Sequence, residues 1–129
     1  RVIQGITMVQ PYAEFDGKCL ARLWLHECGR VFGDRLIDDR DQDMFTDELS
    51  NVLKKTFGLN AADLCKSLIP EGESFGSNSL RSLFFGDFLD PESSNPIYSE
   101  ISDMAALGTS VNGYLEEYNS MTRNKMDLV

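Results

Sequence analysis

The amino-acid sequence predicts a mainly α-helical protein, a helical bundle with one short extended arm. Three observations lead there. Apolar residues recur at three- and four-residue steps over long stretches, the period of helices with a buried face. Acidic or Asn residues stand ahead of those runs and Gly or Pro behind them, which is where helices start and stop. No strand–helix–strand alternation of the kind that builds a parallel sheet is present.

Taken in order, Val2, Ile3, Ile6 and Val9 have helical spacing that Pro11 ends. Pro11 to Gly17 reads as a connector held down by Tyr12 and Phe15. The strongest helix runs from Lys18 to Leu36, with Leu20, Leu23, Trp24, Cys28, Val31, Phe32 and Leu36 as its stripe. Its opposite face carries Arg22, His26, Arg30 and Asp34 at steps of four, with Arg30 placed to pair with Asp34. Gly29 and Gly33 in this helix predict a close backbone crossing. Acidic residues at 38–41 suit the start of a second helix from Asp41 to Phe57, with Met44, Phe45, Leu49, Val52, Leu53 and Phe57 inward and Gly58 as its stop. Asn60 caps a short third helix carrying Leu64, Cys65 and Leu68, ended by Pro70.

Residues 70–79 read as a polar, mobile loop. Leu80 to Leu89 is dense in apolar residues but too irregular to assign, and Asp90 to Pro96 reads as a second loop. Ile97 to Ile101 alternates like a short strand or extended arm. Ser102 or Asp103 then caps a last helix to about Asn119, with Met104, Leu107, Val111, Leu115 and Tyr118 inward.

Composition narrows the class of function. With 129 residues and 42% hydrophobic content the chain has the size of one domain and enough apolar matter for a core. Its net charge of −9 argues against general nucleic-acid or anionic-membrane binding, which needs excess Lys and Arg. No run approaches the roughly 18 apolar residues of a membrane span. Cys19, Cys28 and Cys65 lack CxxC spacing and read as free, buried or half-buried thiols in a reducing compartment. There is no initiator Met or leader, and both ends look cut from a longer polypeptide.

No complete catalytic or metal motif is legible. The chain has no GxxxxGK[ST] phosphate loop, no apolar strand ending in Asp-Glu and no GxSxG elbow. His26-Glu27 begins an HExxH pattern, but Arg30 stands where the second His belongs, and His26 is the sole histidine. The carboxylates Asp38, Asp39, Asp41 and Asp43 lack the Gly and Glu of a calcium loop and read as a solvated helix start. Arg22, early in the strongest helix, is the one candidate for a chemical role, because a guanidinium held there can meet a phosphate from a neighbouring domain. The bland alternative is a surface Arg paired with an acid such as Glu27.

The run Leu23-Trp24-Leu25-His26-Glu27-Cys28-Gly29-Arg30-Val31-Phe32-Gly33-Asp34-Arg35-Leu36 closely resembles the RLWxHExxRVFxDRL block of dynein heavy chains, motors with six AAA+ modules in one ring. Arg1-Val2-Ile3-Gln4-Gly5 is similar to that family's "VWQG" start, with Ile3 where Trp is commoner. Phe84-Phe85-Gly86-Asp87-Phe88 resembles the "FGDF" of axonemal inner-arm chains, and Pro96-Ile97-Tyr98 sits at their "IY" arm. Leu115-Glu116-Glu117-Tyr118-Asn119 with Met126-Asp127-Leu128-Val129 looks like the approach to the fourth module.

The resemblance implies a fragment covering the AAA+ helical lid of the third module and the connector into the fourth. It implies a lid over 1–69, a loop-rich arm over 70–103 and a helix and connector over 104–129. Arg22 matches the Arg of the block and is implied to be a nucleotide-sensing residue. Arg30, Asp34 and Arg35 are implied to hold geometry within the lid or across to the next module, with His26 and Glu27 as packing or hydrogen-bonding residues. ATP or ADP would be held mainly by the preceding large subdomain, outside this chain. Partners would be the neighbouring AAA+ modules and, for the parent, microtubules and other dynein chains, without nucleic acid or membrane. The parent would be an ATPase moving towards microtubule minus ends in the axoneme of a cilium or flagellum, in the cytoplasm and cytoskeleton, with the lid itself non-catalytic and holding no metal. The rival class is a free-standing helical interaction module using exposed aromatics around Phe84–Phe88.

Overall fold

The computed structural model describes residues 1–8, 16–89, 94 and 96–127. The expected helix position of Val9, the Pro11 stop, the Tyr12 and Phe15 packing, most of the 90–96 loop and the final Leu128 and Val129 lie outside them. Within the described residues the architecture is mainly helical, with one small two-stranded sheet as the extended arm.

Helix α1 (Val2–Met8) lies on helix α2 (Gly17–Val31). Gly5 is the buried residue of α1, and a Cβ there would run into the Glu27 carboxylate of α2. The missing side chain is what brings the two helices together. Asp16 caps α2 by accepting from the backbone N–H of Lys18 at 2.9 Å and of Cys19 at 2.8 Å.

Helix α2 ends at Val31 rather than Leu36. Gly33 is a poor helix residue, and residues Gly33–Arg35 tighten into a 3-10 turn closed by Leu36 N–H on the Gly33 carbonyl at 2.9 Å. The expected single stripe is also too narrow. Leu20 and Phe32 are exposed, while Ala21, Leu23, Leu25 and Cys28 are buried, as are His26 and Glu27, which stand off that stripe. The helix is covered on more than one side, by α1, by α5 (Ser77–Arg81) and by β1 (Phe84–Gly86). Gly29 and Gly33 do face close neighbours, but these are side chains rather than backbone. A Cβ at Gly29 would lie 3.4 Å from Leu80, and one at Gly33 would lie 3.2 Å from Phe45.

Helix α3 (Asp39–Phe57) is capped by Asp38, which accepts from the Arg40 N–H at 2.8 Å. Asp39 and Asp41 occupy its first turn, where negative charge favours the helix dipole. Gly58 stops it with φ of 67°, a left-handed conformation that costs glycine little. Its buried face is Gln42, Thr46, Leu49 and Leu53, with Phe45 half-buried, so the stripe is rotated from the expected one. Met44, Val52 and Phe57 point outward. Two polar residues can line this face because both are satisfied. Gln42 donates to the Leu36 carbonyl at 2.7 Å and accepts from Arg81 at 2.5 Å, and the Thr46 hydroxyl donates to the Gln42 carbonyl at 2.8 Å.

Asn60 caps helix α4 (Ala61–Leu64), accepting from the Ala62 N–H at 2.9 Å. The expected single third helix is broken at Cys65, beyond which Lys66–Leu68 form a 3-10 turn. The 70–79 segment is not a loop throughout: α5 begins at Ser77, and Ser79 is buried. Strand β1, in the stretch left unassigned from sequence, pairs antiparallel with β2 (Ser99–Ile101), placing Phe84 opposite Ile101 and Phe85 opposite Glu100. A Cβ at Gly86 would sit 3.0 Å from Ile101 and 2.6 Å from Phe88, so those side chains would have to shift to admit a larger residue.

Helix α6 (Met104–Met121) is capped by Asp103 and runs slightly further than expected. It buries no residue. Leu107, Val111 and Leu115 are half-covered, whereas Met104 and Tyr118, expected inward, are exposed. Two hydrogen bonds tie it back: Tyr114 donates to the Phe88 carbonyl at 3.0 Å and Ser110 to that of Leu89 at 3.4 Å.

The core joins α2, α3 and α4 to Leu80, Leu83 and Phe85. Leu25 is fully buried and Ile37 is 98% exposed. Leu25→Ala therefore lowers unfolding stability by about 2–5 kcal/mol, while Ile37→Ala changes it by less than about 0.5 kcal/mol. Chemical denaturation of the two variants against the parent checks the pair.

Candidate functional site

Three residues on one side of α2, Arg22, His26 and Glu27, reach across to the arm. Arg22 donates through Nε to Glu100 Oε2 at 2.7 Å and through Nη2 to Glu100 Oε1, while Nη1 donates to the Leu64 carbonyl. One guanidinium thus joins α2, the end of α4 and β2. The side chains are only 11% and 25% exposed for Arg22 and Glu100. The hydrogen bond to Glu100 raises the Arg22 pKa, against the opposing effect of burial, so the group is always cationic. Its partner is Glu100, not the neighbouring Glu27.

His26 is buried, with Nδ1 at 2.7 Å from the Leu83 carbonyl. A carbonyl only accepts, so Nδ1 carries the proton and donates. The ring lies 5.4 Å from that of Phe85. Burial holds the imidazole below its usual pKa, partly offset by the bond to Leu83. It is a neutral structural donor.

Glu27 is also buried and accepts from the Tyr98 hydroxyl at 2.8 Å. Burial, and then that bond to Glu27, raise the Tyr98 pKa well above the usual phenol range. Tyr98 and Glu100 are two residues apart in extended backbone and so share a face. Phe85, opposite Glu100, completes that face, its ring 6.2 Å from Tyr98. The part of α2 opposite the expected apolar stripe, at Arg22 and His26, is the seat of the arm.

Arg30, Asp34 and Arg35 lie elsewhere. Arg30 pairs with Asp34 at 2.7 Å, as the spacing predicts, on an exposed surface. Arg35, in the 3-10 turn, lines a shallow depression together with Arg1, Arg30 and Tyr98. A cavity of about 310 Å³ separates α2, α3 and α5, with Gly29, Gly33, Phe45 and Leu80 among its walls. Cys28 and Cys65 are free and buried, and burial pushes the Cys28 thiol up to about 11 and that of Cys65 in the same direction. Neither is a thiolate near neutral pH. Among the described residues no group of three or more His, Cys, Asp or Glu side chains is placed to hold a metal. The aromatics expected to form an interaction patch are largely inward, Phe85 buried and Phe84 half-buried, with Phe88 the more open.

The described residues thus build a small helical body whose central helix grips an extended arm. The AAA+ lid domain family model matches residues 2–66, and the chain belongs to that family. Its relatives are axonemal dynein heavy chains. The chain is 40% identical to dynein axonemal heavy chain 3 of Homo sapiens over 131 residues, which is 100% of this chain and 3% of that protein. It is 33% identical to dynein axonemal heavy chain 12 of Rattus norvegicus over 131 residues, again 100% of this chain and 4% of the relative. Against dynein axonemal heavy chain 2 of Homo sapiens it is 33% identical over 120 residues, 92% of this chain and 2% of the relative. The chain thus spans only about 3% of the length of the first two curated relatives. Arg22, His26 and Glu27 lie inside the family segment, whereas Leu83, Tyr98 and Glu100 follow it.

Glu100, Tyr98 and the Leu83 carbonyl were missed from sequence. The one available signal was the two-residue spacing of Tyr98 and Glu100 in an alternating run, which puts both polar tips on one side. A lowered His26 pKa has a definite consequence. The unfolded chain takes up the proton near pH 6.5 and the folded chain only at lower pH. The stability due to neutral His26 is therefore complete above the unfolded value and declines as pH falls through it. His26→Asn, which keeps a donor for Leu83, should flatten that part of the decline between pH 7.5 and 5, measured by urea unfolding. Tyr98→Phe should cost about 1–3 kcal/mol in the same assay, because Glu27 is left buried without its donor.

Proposed function

We propose that the chain is the non-catalytic lid of the third AAA+ module of an inner-arm-type axonemal dynein heavy chain, with its connector into the fourth module. Residues 1–69 are the lid, 70–103 the arm and 104–129 the helix and connector. The lid closes on ATP or ADP held by the preceding large subdomain and passes the motion around the ring. The parent motor would move towards microtubule minus ends, within the cytoskeleton of a cilium or flagellum, with other dynein chains as partners.

The observation that carries this reading is the Arg22 clamp. It ties the lid helix to the strand that leads into α6, so what happens at the Arg22 side chain as the lid closes reaches the connector directly. Arg22 is also the residue we assign to meeting the nucleotide phosphate. Its bidentate edge suits a phosphate as well as a carboxylate. Arg30, Asp34 and Arg35, exposed at the far end of α2, serve contacts between modules.

The test is nucleotide binding to the polypeptide extended through its own nucleotide-binding subdomain. A lost charge-assisted contact is worth about 1.5–3 kcal/mol, so Arg22→Ala should weaken ATP binding by about tenfold or more. Arg22→Lys should recover part of the loss. Unchanged binding in both variants removes Arg22 from the nucleotide site.

A further inference from the structure

We propose that Glu100 is a resident carboxylate that the nucleotide phosphate must displace from Arg22, so that phosphate contact and arm docking exclude one another. The inference rests on the assignment of Arg22 to the phosphate and adds how that contact is regulated.

The guanidinium has little to spare. Its side-on edge, Nε with Nη2, is taken by both oxygens of Glu100, and Nη1 is given to the Leu64 carbonyl. Carboxylate and phosphate use the same edge and the same charge, so an arriving phosphate competes for that edge directly. The pair is not sealed, since a quarter of the Glu100 side chain remains open to solvent. An anion can therefore approach the edge as the carboxylate leaves.

Release of Glu100 has a structural consequence because of where it sits. It is the central residue of β2, a three-residue strand whose one pairing partner among the described residues is β1. A two-stranded ribbon is marginal by itself. Besides the Arg22 contact, Tyr98 on Glu27 is the other polar tie from this segment to α2 among the described residues. Helix α6 begins four residues after Glu100 and buries no residue of its own. Losing the Arg22 tie thus loosens the whole path from β2 to α6. The nucleotide is read by the same side chain that holds the connector, and no separate relay is needed.

The experiment uses the intact heavy chain, with ATP titrated and hydrogen exchange followed in peptides covering 17–31 and 96–101, so that the readout belongs to this lid. In the wild type, saturating ATP should raise exchange at 96–101. Glu100→Gln should show raised exchange there without ATP, and its titration should be complete at about three- to tenfold lower ATP, because a neutral amide holds the guanidinium less strongly. Unchanged or increased protection at 96–101 in the ATP-saturated wild type overturns the exchange, whether or not the variant folds. So does a Glu100→Gln titration identical to wild type while Arg22→Ala is weakened, an outcome that leaves the phosphate role of Arg22 standing. If Arg22→Ala leaves the titration unchanged, the phosphate role itself falls, and the exchange with it.

Discussion

The structure depends on one guanidinium. Arg22 holds a carboxylate from 78 residues further along the chain and a carbonyl from the end of α4. An arginine so placed costs desolvation, and the bidentate fork with a third acceptor is what offsets it. Removing either partner would leave a mostly buried charge without its complement, which costs more than an ordinary hydrogen bond. The same side of α2 adds His26 on Leu83 and Glu27 on Tyr98. Together they form a polar seam beside an apolar core, and the seam is what makes the arm part of the body.

That seam also explains the division of labour. Leucines of α2, α3 and the α5–β1 region supply the non-directional burial that closes the bundle. Directional contacts fix which segment lies on α2 and in what register, since each donor has one acceptor at the right spacing. Histidine and cysteine are quiet members of this arrangement, the imidazole kept neutral and the thiols kept protonated by burial.

Much of the helical scaffold was legible because its signals are local. Asp103 and Asn60 cap, Gly58 stops a helix, and Arg30 pairs with Asp34 at four residues' distance. What was not legible is set by tertiary context. Leu20 and Phe32 look like core residues by spacing yet stay exposed, while His26 and Glu27, off the apolar stripe, are covered by the arm. Gln42 and Thr46 face inward because Arg81 and the Leu36 carbonyl reach Gln42, while Thr46 bonds back to its own helix, none of which periodicity registers. Strand β1 escaped because three residues carry too short an alternation to be told from a helix turn. At the site itself, Arg22 stood out in the sequence, but its carboxylate partner Glu100 lay too far along the chain for any local rule to find.

The most direct measurement of the central claim is a double-mutant cycle on Arg22 and Glu100, using alanine at each position singly and together, read by equilibrium unfolding of the 129-residue chain. If the pair binds arm to body, the two losses should be strongly non-additive, with a coupling of about 1.5 kcal/mol or more. Additive losses would mean that the two side chains act independently, and that the arm is held by the remainder of the seam.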